Sequence, residues 1–110
     1  MSARLATGIW VSAYLARLGA AYIPAYIIHR GDATAGAVMV KCATLDGQAA
    51  LWAREYDYDT DTRPWRIQTE GPEAQTDDAI RRQISYDCDL WIIEIESRDG
   101  TTLLEQEGLS

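Results

Sequence analysis

Residues able to do chemistry are few in this chain. One histidine, two cysteines and one lysine stand among 110 residues. A nucleophile paired with a histidine base would have to use His29, and histidine-rich metal sites are excluded. A lone histidine in a strand-like segment reads as a structural or surface residue. Cys42 and Cys88 have neither metal-ligand nor redox spacing. Cys42 closes an apolar run and reads as a small core residue. Cys88 lies between Asp87 and Asp89, whose charge raises a thiol and blunts it as a nucleophile. Asp57, Asp59 and Asp61 alternate as calcium-loop carboxylates do, but Thr62 and Gln68 occupy the positions that need glycine and an acid. They read as a solvated acidic loop. The eight glycines show no phosphate-loop spacing.

Two constellations remain. Arg30, Asp32 and Lys41 flank one hairpin and could hold a small anion. Arg30-Gly31-Asp32 also spells an adhesion tripeptide, but its glycine and aspartate are ordinary turn chemistry. Glu94 and Glu96 share one strand face, where paired carboxylates can divide acid and base roles. The same spacing arises on the open face of an antiparallel sheet. No catalytic residue, metal ligand or cofactor is assigned from these patterns.

The aromatic residues weigh more. Trp10, Trp52, Trp65 and Trp91 accompany six tyrosines and nine arginines, the residue types that anchor interfaces. Four tryptophans exceed what one small core readily hides, and Trp52, Arg54 and Tyr56 share one face of their strand, either the exposed or the buried one. The leading expectation is a non-enzymatic protein-interaction module, with a protein partner or self-association through a sheet edge or aromatic face. The alternative is a small-molecule or anion-binding sensor or enzyme, its pocket near the Arg30 to Lys41 hairpin and Glu94/Glu96. Candidate binding residues are Arg30, Asp32, Lys41, Trp52, Arg54, Glu94 and Glu96.

These residues need elements to position them. Val11, Leu15, Leu18 and Tyr22 recur with helical spacing, which predicts a helix from Ile9 or Val11 to Ala21, stopped by Pro24. Tyr22 to His29 and Ala37 to Ala43 read as strands. Asp46-Gly47 predicts a type I′ hairpin turn into a partner strand, Ala49 to Tyr56. A strand from Trp65 ends at Gly71-Pro72. Thr76, followed by two aspartates, marks the start of a helix over Asp77 to Tyr86. Leu90 to Glu96 is the clearest strand. The pattern predicts one α+β domain over 1–110 in two layers. Both helices are expected on one face of a mainly antiparallel sheet of four to five strands, with a polar C-terminal tail from about 99.

Net charge is −7, divided as +2 over residues 1–50 and −9 over 51–110. With one lysine to meet phosphates, nucleic acid and anionic membranes are disfavoured partners. The most apolar stretch, Ile9 to Ile28, is broken by Arg17, Gly19 and Pro24, so it reads as core elements and not a membrane span. No secretory signal is recognisable, and a cytoplasmic location is expected.

One resemblance covers nearly the whole chain. Gly8-Ile9-Trp10-Val11-Ser12-Ala13, Arg30-Gly31-Asp32 with Ala35 to Lys41, Glu70-Gly71-Pro72, and Asp89 to Glu96 resemble the landmark segments of a bacterial family, domain of unknown function 1491. The order and spacing of the four segments match. Cys88 departs from the pattern, which has proline in the loop before the final strand. The resemblance implies a short single-domain protein and supplies no activity, ligand or catalytic residue.

Overall fold

The computed structural model describes residues 5–106 and 108–109. The elements are α1 (Thr7–Ala20), β1 (Ala25–His29), β2 (Val38–Ala43), β3 (Gln48–Arg54), β4 (Trp65–Pro72), α2 (Glu73–Tyr86) and β5 (Trp91–Glu96). The strands form one sheet in the order β1-β5-β2-β3-β4. All pairings are antiparallel except that of β2 with β5. β5 returns through α2 and inserts between β1 and β2, parallel to β2, which a helical crossover permits. The α+β class and the mainly antiparallel sheet are as expected.

The placement of both helices on one face is not. β2 and β5 are apolar on both parities, so both of their faces must be covered. Val40, Cys42, Trp91, Ile93 and Ile95 pack with Trp10, Val11, Tyr14 and Leu18 of α1. Met39 and Ile92, on the opposite face, pack with Leu51 and with Ala79 and Ile80 of α2. The result is three layers, helix on sheet on helix. The segment after Gly100 completes the α1 layer, where Leu104 and Leu109 are buried and Thr102 O accepts a 2.8 Å hydrogen bond from the Tyr14 hydroxyl. Among the described residues no helix is long and apolar enough to cross a membrane.

Long-range carbonyls set both helix starts. α1 has no side-chain cap; instead Thr7 N donates to Thr34 O at 3.2 Å and Gly8 N to Ala33 O at 2.8 Å. Amides that a helix start would leave orphaned are thus satisfied from the loop between β1 and β2. α2 begins at Glu73, directly after Pro72, and not at Asp77. Glu73 N donates to Gly47 O at 2.9 Å, and Thr76 is buried, its hydroxyl 3.4 Å from Ala49 O. The β2–β3 turn is also different from the two-residue expectation. Thr44 N meets Gln48 O at 3.2 Å, closing a three-residue loop with positive φ at Leu45 and Gly47, while Asp46 accepts from Thr44 Oγ1 and Gln48 N.

Candidate functional site

The polar and aromatic residues gather in three clusters. The first is built around Lys41, whose side chain is 3% exposed at the centre of β2. Its Nζ lies 2.8 Å from Glu73 Oε1, 2.7 Å from Asp77 Oδ1 and 3.1 Å from Glu94 Oε1. Glu73 and Asp77 stand one helical turn apart on α2, and Glu94 is the register partner of Lys41 on β5. Burial alone would lower the ammonium. Hydrogen bonds to Asp77, Glu73 and Glu94 outweigh it and hold Lys41 above the ordinary lysine range. All three ammonium protons have acceptors, so the cluster is a fixed tie between α2 and the sheet.

The second cluster joins Arg54 to two tryptophans. The Trp10 and Trp65 rings stack with centroids 5.5 Å apart, and the Arg54 guanidinium lies 4.8 Å from the Trp65 ring and 6.0 Å from that of Trp10. Arg54 Nη1 donates to Arg63 O at 3.1 Å and Nη2 to Leu109 O at 2.7 Å. Both indole N–H groups donate to the same Leu109 oxygen, each at 3.3 Å. This cluster borders an open cleft of about 1410 Å³ whose walls include Thr7, Gly36, Arg63 and Gly108.

The third cluster holds the loop after β1. Arg30 lies 5.3 Å over the Trp91 ring, and the Trp91 indole donates to Asp32 O at 2.8 Å. The Asp32 carboxylate accepts from Ala35 N at 2.8 Å and Thr34 N at 3.2 Å, an aspartate turn as its sequence suggests. Gly31 and Gly36 let this loop press against the chain at Asp89, since a Cβ on either would overlap the Asp89 carbonyl oxygen. His29 faces the same strand end, its Nδ1 2.6 Å from Leu90 O.

The candidate residues therefore do not surround one pocket. Lys41 and Glu94 meet on the α2 face, whereas Arg30 and Asp32 engage Trp91, which packs toward α1. Glu96 accepts from Tyr26 and raises its phenol above the ordinary value of 10.0. Trp52 is half-buried against the α1-side core and lines a groove of about 350 Å³ with Cys42 and Ile67. Arg54 joins Trp10 and Trp65, not Trp52. Asp57, Asp59 and Asp61 also separate: Asp57 pairs with Arg66 at 3.0 Å and Asp61 bonds the Tyr56 hydroxyl. Sequence reasoning missed Glu73 and Asp77 as partners of Lys41. The available signal was a lone lysine within an apolar strand, which demands buried acceptors.

A lysine locked between sheet and helix and an arginine held by stacked indoles define a small α+β domain in which these two cations are engaged in internal packing. The chain belongs to the DUF1491 family: the family model described as "Protein of unknown function (DUF1491)" matches residues 5–105. It is similar to the crystal structure of a DUF1491 family protein from Caulobacter crescentus, with 34% identity, 94% of this chain and 97% of that chain covered, and a TM-score of 0.85. An NMR structure of a DUF1491 family protein from the same organism gives 34% identity, 96% coverage of both chains and a TM-score of 0.83. The solution structure of protein Atu0922 from A. tumefaciens gives 29% identity, 86% and 87% coverage, and a TM-score of 0.71. No curated protein matches the chain.

Proposed function

We propose that this protein is a non-catalytic interaction module of the bacterial cytoplasm that takes up an extended segment of a protein partner along β1, as a sixth strand. The observation that carries this reading is the state of β1. It is an outer strand of the sheet; Tyr26, on the face of Glu94, and Ile28, in the register shift between Ile27 and His29, remain 50% and 52% exposed. α2 packs over β3 and β4 on that face, leaving the β1 side open. An unpaired edge with apolar side chains is a template for strand addition. The opposite outer strand, β4, carries Arg66, Gln68, Glu70 and Pro72, residues that discourage pairing. Glu96 beside Tyr26 favours a partner segment in which apolar residues alternate with lysine or arginine. Cys42 and Cys88 are free thiols, which suits a reducing compartment.

The test is affinity capture from the native cell with wild-type and Ile28→Lys bait, followed by hydrogen exchange on the recovered complex. The reading requires a partner that the variant loses and new amide protection confined to residues 25–29. Equal recovery by both baits, or protection elsewhere, would sink it. A second copy of this chain as the occupant would show as a sedimentation shift abolished by the same substitution.

A further inference from the structure

Helical spacing groups Tyr22 with Leu15 and Leu18, yet α1 stops at Ala20 and Tyr22 is 92% exposed. Two backbone bonds hold it just past the helix end: Tyr22 N donates to Gly19 O at 3.1 Å and Ile23 N to Leu18 O at 2.9 Å. This pair of bonds is a Schellman closure, whose left-handed residue is usually glycine. Here it is Tyr22, at φ +60°. A Cβ in that conformation crowds the following carbonyl, so the ring is carried at a cost to the fold while gaining almost no burial. Backbone strain of this kind clusters at positions that contact ligands.

Tyr22 also opens a row. Tyr22, Pro24, Tyr26 and Ile28 are exposed, whereas Ile23, Ala25 and Ile27 between them are partly buried. Pro24 does not spoil the free edge. Glu96 N donates to Pro24 O at 3.0 Å, so Pro24, and Tyr26 two residues on, turn their backbone groups toward β5, and Ala25 and Ile27 turn theirs outward. The donor that proline lacks is therefore missing on the β5 side. Charge lies along the same row. Glu94 is the register partner of Tyr26, Glu96 accepts from the Tyr26 hydroxyl, and the ion pairs of the described residues leave Glu96 without a cation.

Resting on the strand-addition reading, we propose that Tyr22 is a binding residue of the β1 edge, and that the extended segment received there is basic, its lysine or arginine side chains lying over the Tyr22 and Tyr26 rings and pairing with Glu96. The outward backbone groups of Ala25 and Ile27 accept any extended chain. The tyrosine faces, which attract a cation, and the Glu96 carboxylate supply the preference for a basic one.

The probes are the hexapeptides acetyl-Lys-Val-Lys-Val-Lys-Val-amide and acetyl-Glu-Val-Glu-Val-Glu-Val-amide at millimolar concentration, with binding to the full chain read from the amide resonances of residues 22–28. The basic peptide should shift them and the acidic one should not. Tyr22→Gly should weaken the basic peptide about tenfold while raising the melting temperature by about 2–5 °C. Tyr22→Phe, which keeps the ring, should bind as wild type does. Equal binding by wild type and Tyr22→Gly overturns the role of Tyr22 and leaves the strand-addition reading standing, because Ile28→Lys tests that reading separately. A response to both peptides alike, or to neither, overturns the basic segment. A Tyr22→Gly chain that melts below wild type also overturns the proposal, because the ring would then serve the fold.

Discussion

Asp77 Oδ1 lies 2.7 Å from Lys41 Nζ, so the start of α2 is tied to the middle of a central strand by one ionic contact. Two further carboxylates share the same ammonium. Lys41→Met removes the cation that Glu73, Asp77 and Glu94 share and leaves three acids to repel one another. The expected cost is about 2–4 kcal/mol, toward the range for breaking a buried pair but reduced because the acids are partly solvated. Asp77→Asn leaves two charged acceptors and should cost only about 1 kcal/mol. Urea unfolding of the two variants checks the ratio; equal costs would mean that the ammonium does not organise the cluster.

The same contact fixes a pH dependence. Lys41 is held above its ordinary value of 10.5 in the fold, so the folded state keeps this proton more tightly than the unfolded chain. Its contribution is complete below that ordinary value and declines as pH rises through the folded one. Tyr14 is also raised, chiefly by burial, and has the same sign. The difference between wild type and Lys41→Met isolates the lysine. That difference, followed by urea midpoints, should be flat from pH 7 to about 10 and then shrink; a difference growing with alkalinity would contradict it.

Much of the fold is legible in the sequence because it is local, and what escapes is nonlocal. Residue periodicity locates all seven elements. It does not place the first residue of α1, because the carbonyls of Ala33 and Thr34 that satisfy its amides come from a loop after the next strand. Nor does it place the start of α2, set by Gly47 O. The two-sided sheet is written in Val38-Met39-Val40 and Leu90 to Ile93, apolar on both parities; an alternating reading of those runs hides it. At the candidate site, residue type brings Lys41 and Glu94 to one expected pocket but not the Glu73 and Asp77 that complete the cluster, and it names Arg54 but sets it beside Trp52 instead of with Trp10 and Trp65.

Gly31 and Gly36 are needed for proximity. The loop after β1 passes so close to Asp89 that a Cβ at either position overlaps that carbonyl oxygen. Gly31→Ala should cost about 1–3 kcal/mol, as overpacking does, because the obstacle is backbone. Gly19 is the control: it lies in α1, where an added methyl group would meet nothing within 4 Å, and Gly19→Ala should gain about 0.5–1 kcal/mol by lowering the entropy of the unfolded chain. Thermal melts of both variants test the contrast. A harmless Gly31→Ala would mean that the loop does not press on Asp89.

Tyr14 carries the tie between α1 and the C-terminal segment. Its ring is buried, and its hydroxyl donates to Thr102 O at 2.8 Å. Tyr14→Phe keeps the packing with Trp10, whose ring centroid is 5.0 Å away, and deletes only the donor. A buried carbonyl left without a partner costs about 1–3 kcal/mol. That loss should be local, because Leu104 N depends on Thr102 Oγ1 and Leu109 N on Gln106 O within the same segment. Hydrogen exchange should therefore accelerate at residues 104–106, 108 and 109 by roughly five- to tenfold or more, corresponding to about 1 kcal/mol or above, with β2 and β5 amides following global stability alone. Uniform acceleration across the sheet would show instead that the segment and the core open as one unit.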